Sequence, residues 1–118
     1  MKIHLFEDFN QDDENNEFIS SLDECITETQ KIIDEVSEES KHMDMLSSCE
    51  DVINICKLVK DLIENDSSLL KAQCQILKTS LKLCIGECKK IDGDFNNLST
   101  CVEACKRCEI DCEKYINI

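Results

Sequence analysis

The residues best equipped for chemistry in this chain are its ten cysteines, and the last four carry the clearest pattern. Cys101, Cys105, Cys108 and Cys112 recur at steps of four, three and four. That is the 3.5-residue period of a helix seam, so one face of one helix presents four thiols in register. A single buried cysteine behaves as a small hydrophobe, but four along one seam form a row of soft sulfur donors. Neighbours at i and i+4 have Cβ atoms about 5–6 Å apart, too far for a disulfide, whose Cβ atoms sit about 3.8 Å apart. A bridging metal suits them better, because two metal–sulfur bonds of about 2.3 Å, the zinc value, separate the sulfurs by up to about 4.6 Å.

The elements that must position these thiols are helices. The chain of 118 residues has no Pro, two Gly (Gly86 and Gly93) and few aromatic residues, which suits one all-helical domain. From about Asn15 a first seam reads Phe18, Leu22, Cys25, Thr29, Ile32 and Val36, with a start as late as Ser21 allowed by the capping box Ser21-Leu22-Asp23-Glu24. A polar turn is expected near Ser40 and Lys41. The second seam reads His42, Met45, Cys49, Val52, Cys56, Val59 and Ile63, and stops at the polar run from Glu64 to Ser68. The third reads Leu70, Cys74, Leu77, Leu81, Cys84, Cys88 and Ile91, with Gly93 placed to end it. The fourth reads Leu98, Cys101, Cys105, Cys108, Cys112 and Tyr115. Short loops make sequential helices antiparallel. The sequence therefore predicts an all-α, antiparallel up-down-up-down four-helix bundle with a cysteine-lined core over residues 15–118, preceded by an acidic flexible N-terminal segment, residues 1–14.

All ten cysteines fall on the four seams. Stacking the seams about the expected loops places Cys25, Cys56, Cys74 and Cys108 or Cys112 in one layer and Cys49, Cys84 and Cys105 in the next. Cys88 and Cys101 then lie with Met45 and His42 toward one end. The thiols run along the axis instead of gathering at one point. A structural zinc wants four ligands at one place, usually on turns that wrap the ion, and an iron–sulfur cluster wants a looping run of cysteines. A soft, low-coordinate ion, Cu(I), suits a column of paired thiolates, since thiolate and thioether ligands select it. Several ions per chain could share the column. Zn(II) or another soft metal remains an alternative, as does a structural or interaction bundle whose cysteines are incidental. His42, Met43 and Met45 come near the Cys88 and Cys101 end and are candidates for the place where an ion first lands.

Charge and compartment narrow the partners. With 26 acidic against 13 basic residues the formal net charge is −13, which excludes a basic phosphate-binding face and so argues against nucleic acid. No apolar run is long enough to span a membrane, and the start Met1-Lys2-Ile3-His4-Leu5-Phe6-Glu7-Asp8 is not a secretory signal. A cytoplasmic location follows, where thiols stay reduced and dense cysteine points to metal or catalysis before disulfides. Nucleophilic catalysis needs a cysteine beside a positioned base, and the two histidines, His4 and His42, make no dyad by spacing. The chain reads as a non-enzyme.

The segment from Cys101 to Tyr115 resembles the C-terminal helix of the four-helix-bundle copper storage proteins, which keep many Cu(I) ions on cysteines lining the core. Lys71 to Lys90 resembles their third helix, with Cys74, Cys84 and Cys88 matching and Leu77 and Leu81 standing where cysteines are common. Thr29, Leu77 and Leu81 interrupt ladders that the family continues, which implies a smaller capacity here. The resemblance implies storage or detoxification of copper by a cytosolic homo-oligomer, a tetramer.

Overall fold

The computed structural model describes residues 2–36, 42–91 and 97–117, with side chains from residue 13 onward. Among these the chain forms four helices: α1 (Lys2–Val36), α2 (Met43–Glu64), α3 (Leu70–Lys89) and α4 (Leu98–Ile116). Each packs on the one before it in sequence, and α1 closes the ring against α4. The molecule extends 57 × 23 × 20 Å. Its long dimension is that of α1, whose 35 residues span about 52 Å at the rise of a regular α-helix.

The first helix begins earlier than its seam suggested. Its backbone is helical from Lys2, ahead of the start expected between Asn15 and Ser21, and so through most of the acidic segment 1–14. The expected capping box is not formed, because the Ser21 hydroxyl donates to the Phe18 carbonyl at 3.0 Å within a continuous helix. No glycine or proline lies in this stretch, and a mid-helix serine can bond back to the preceding turn without ending the helix. The first buried side chain among the described residues is nevertheless Phe18.

The link between α2 and α3 shows how sequence stops a helix without glycine. Asp66 takes φ 51°, a left-handed conformation that Asp and Asn tolerate better than most residues. Its N–H bonds the Ile63 carbonyl at 3.2 Å, and the Ser67 N–H bonds the Leu62 carbonyl at 3.0 Å. This pair of bonds satisfies the last carbonyls of α2 in a Schellman arrangement. The Ser67 hydroxyl then accepts from the Leu69 N–H at 3.1 Å, which turns the chain into α3. The turns expected near Ser40 and Lys41 and around Gly93 lie outside the described residues.

The four stripes read from the sequence form the interior. Phe18, Leu22, Ile32, Val36, Met45, Val52, Val59, Ile63, Leu77, Leu81 and Leu98 are buried together with all ten cysteines. Leu46, Ile53, Ile85 and Ala104 widen these stripes at their flanks. His42, Leu70 and Ile91, at the stripe ends, are half-buried. Cross-helix ion pairs keep the register on the outside: Lys60 with Asp23 at 2.6 Å, Lys82 with Glu109 at 3.7 Å, Lys78 with Glu113, and Arg107 with Glu24. Exposed pairs of this kind contribute about 0–1 kcal/mol each, so they orient helices that apolar burial holds together.

Because every helix contributes aliphatic side chains to the interior, the reduced metal-free protein is expected to be folded and helical by circular dichroism. A coil spectrum would contradict this account of the core. Leu81, fully buried, provides a graded check: Leu81→Ala is expected to cost about 2–5 kcal/mol in urea unfolding, with the midpoint falling and the slope unchanged.

Candidate metal centre

The helices contribute unequally. α1 brings Cys25, α2 brings Cys49 and Cys56, α3 brings Cys74, Cys84 and Cys88, and α4 brings Cys101, Cys105, Cys108 and Cys112. All ten are unpaired thiols. Cys88 is 3% exposed and the other nine are 0% exposed, so the sulfurs face one another inside the bundle and not water.

Three trios have sulfurs mutually within 4.8 Å: Cys25 with Cys56 and Cys108, Cys49 with Cys84 and Cys88, and Cys84 with Cys101 and Cys105. Sγ–Sγ distances of 3.8 Å join Cys25 to Cys105 and Cys49 to Cys84. Cys112 contacts Cys108 and Cys74. Every thiol is thus linked to at least one other, and α4 is the spine against which α1, α2 and α3 each place a cysteine. Sulfurs bridged by one metal ion lie within about 4.6 Å of each other at bonds of about 2.3 Å, so each trio is close to the geometry an ion would need.

Contact among buried sulfurs divides their proton affinities. Cys49 is pushed down to about 5 by hydrogen bonds from Cys84 first and Cys88 second, against the opposing cost of burial. Cys25 is lowered by Cys105, Cys108 and Cys56, and Cys101 by Cys105, Cys84 and Cys88. The donors move the other way: Cys84 and Cys88 are raised chiefly by donating to Cys101, and Cys74 by donating to Cys112 and by burial. Each trio therefore contains one sulfur poised as thiolate, with its neighbours holding protons that stabilise it.

The layer arithmetic from sequence is accurate to about one turn. Of the layer expected to hold Cys25, Cys56, Cys74 and Cys108 or Cys112, the first two form a trio with Cys108, and Cys74 contacts Cys112, which in turn contacts Cys108. Cys49 and Cys105 both join Cys84 as expected, in two trios completed by Cys88 and Cys101 respectively. The three residues expected at one end are spread over three environments. Met45 is buried, His42 is half-buried at the start of α2, and Met43 is 61% exposed, one position off the stripe. Periodicity placed Thr29 on the seam but did not show its contacts: the hydroxyl lies 3.6 Å from Cys101 Sγ and 4.0 Å from Cys25 Sγ. Ser80 and Glu28 are also buried without having been singled out. Glu28 binds Lys31 through one oxygen at 3.1 Å and buries the other without a partner.

No curated protein matches the chain. Among solved structures, the fold matches that of Cu(I)-bound copper storage protein BsCsp3, with a TM-score of 0.78 and 23% identity over 87% of this chain and 98% of that one. At that identity the likeness is one of fold. The sequence model of the Csp family, copper storage protein, matches residues 11–117. Spanning nearly the whole chain and every cysteine in it, that match shows that the protein belongs to the copper storage protein family.

Proposed function

We propose that the protein stores several Cu(I) ions on Cys25, Cys49, Cys56, Cys74, Cys84, Cys88, Cys101, Cys105, Cys108 and Cys112. The observation that carries this reading is the network of ten buried thiols, with trios inside 4.8 Å. Soft thiolates in groups of two and three match a low-coordinate, soft monovalent ion. Zn(II) asks for a closed tetrahedron of four donors, whereas the groups found among the described residues are trios. The structural relative is itself Cu(I)-bound, which supports carrying the same cargo to this chain.

We read the protein as a store and not a catalyst, because its clustered thiols are buried against one another and a nucleophilic cysteine needs a base beside it. Ten free thiols also fit a reducing, cytoplasmic setting, and among the described residues no helix is long and apolar enough to cross a membrane. A homo-oligomer, a tetramer by family resemblance, is supported by apolar side chains left on the outer face of α2 and α3. Leu58, Ile76 and Leu83 are 44%, 51% and 63% exposed. We treat residues 1–14 as an appendage to the bundle at 15–118, since among the described side chains, from residue 13 onward, the first buried one is Phe18. His42, Met43 and Met45 are the proposed landing place for copper: an exposed thioether on Met43 and a buried one on Met45 would make a step from solvent to the Cys49 trio on the same helix.

A competition experiment tests the cargo. Reduced protein offered equal Cu(I) and Zn(II) is expected to retain several equivalents of copper. Uptake should release protons, because thiols such as Cys84 and Cys88 are held protonated until an ion displaces the proton, so a chelator should extract copper more readily as pH falls. Preferential retention of Zn(II) would overturn the reading.

The landing place is tested by rate. Replacing His42, Met43 and Met45 with Ala, Leu and Leu is expected to slow Cu(I) uptake in stopped-flow mixing while leaving the number of ions bound at equilibrium unchanged. An unaltered rate would move the point of access elsewhere.

A further inference from the structure

The ten thiols fall into two sets of five. Cys25, Cys56, Cys74, Cys108 and Cys112 make one set, at the end of the bundle where Phe18 stacks on Tyr115 with ring centroids 4.8 Å apart. Cys49, Cys84, Cys88, Cys101 and Cys105 make the other, knit by two trios that share Cys84. Among the described residues no trio draws on both sets. The contact that joins them is Cys25 Sγ to Cys105 Sγ, at 3.8 Å.

The residues between the sets explain the division. On α2 the stripe position between Cys49 and Cys56 is Val52, and on α3 those between Cys74 and Cys84 are Leu77 and Leu81, all fully buried. On α1 the next stripe position after Cys25 is Thr29, whose hydroxyl reaches Cys101 and Cys25 at 3.6 and 4.0 Å. A neutral hydroxyl is a hard oxygen donor, and Cu(I) selects sulfur. α2 and α3 therefore offer no soft ligand at this level and α1 offers Cys25 alone, so the sulfur pair that spans it between helices is Cys25–Cys105.

We propose that Cys25 and Cys105 form a relay between two five-thiol compartments, so that the core fills as two linked clusters and not as one continuous column; this rests on the Cu(I) storage reading. In the crossing step a Cu–S bond forms to the Cys25 thiolate as the Cu–S bond to Cys105 breaks, which leaves Cys105 as the thiolate. Copper stays Cu(I), no electron moves, and the step runs equally in reverse. The relay serves an ion that enters from either end of the bundle.

Anaerobic stopped-flow mixing of the reduced full chain with excess Cu(I), followed by the ultraviolet sulfur-to-copper charge-transfer band, tests this. Filling is expected in two phases. Cys25→Ser should slow the second about tenfold relative to Cys74→Ser and Cys88→Ser, which each remove one thiol away from the relay. Thr29→Cys, which adds a soft ligand between Cys25 and Cys101, should speed it. Single-phase filling of the unaltered protein, or equal rates for Cys25→Ser and the other two serine variants, would overturn the relay. If circular dichroism shows that Cys25→Ser has lost its helices, Thr29→Cys decides alone: a faster second phase supports the relay and an unchanged one overturns it. The storage reading fails separately, by a final count of at most one ion in the unaltered chain.

Discussion

Contact between sulfur atoms away from water is the constraint on which the rest of this structure depends. A thiolate buried alone is expensive, because burial disfavours the charged form. Placed beside other thiols it gains hydrogen bonds that lower its proton affinity, as at Cys49, Cys25 and Cys101. The bundle must therefore bring cysteines from different helices within reach of each other and keep solvent out. α4 does so by carrying four cysteines on one seam, and each other helix meets it with at least one thiol.

Such a core cannot be sulfur alone and still hold its shape without metal. Phe18, Leu22, Val52, Val59, Leu77 and Leu81 fill the stripe positions that cysteine leaves, and all are fully buried. Burial of each such side chain contributes about 1.5–3 kcal/mol, which lets the bundle fold before any ion arrives. The same residues limit capacity. Every aliphatic residue on a seam stands where a thiol would otherwise be, so the packing that preorganises the thiols is also what divides them into two sets.

Much of this was legible in the sequence because the helical period exposes itself wherever apolar residues and cysteines alternate with acids and lysines. The stripes through Cys49, Cys56, Cys74, Cys84 and the α4 cysteines needed nothing beyond counting. What counting could not supply was register between helices. Counting left Cys108 and Cys112 as alternatives at the level of Cys25, Cys56 and Cys74, whereas Cys25 and Cys56 meet Cys108 and Cys74 meets Cys112, a difference of one turn that depends on loop geometry. The start of α1 was missed for a related reason: the seam read from the sequence begins at Phe18, but a helix need not begin where its apolar seam does. Thr29 was visible as a gap in a ladder, while its double contact to Cys25 and Cys101 needed three dimensions.

The central claim is that the thiol network itself is the copper site. Anomalous diffraction at the copper edge from crystals loaded with Cu(I) under anaerobic conditions tests it most directly. The expected result is several copper peaks along the bundle axis, each at bonding distance from two or three Sγ atoms, with members of the Cys25–Cys56–Cys108 and Cys84–Cys101–Cys105 trios among the ligands. A single peak, or copper held on surface carboxylates with the interior thiols empty, would contradict the account.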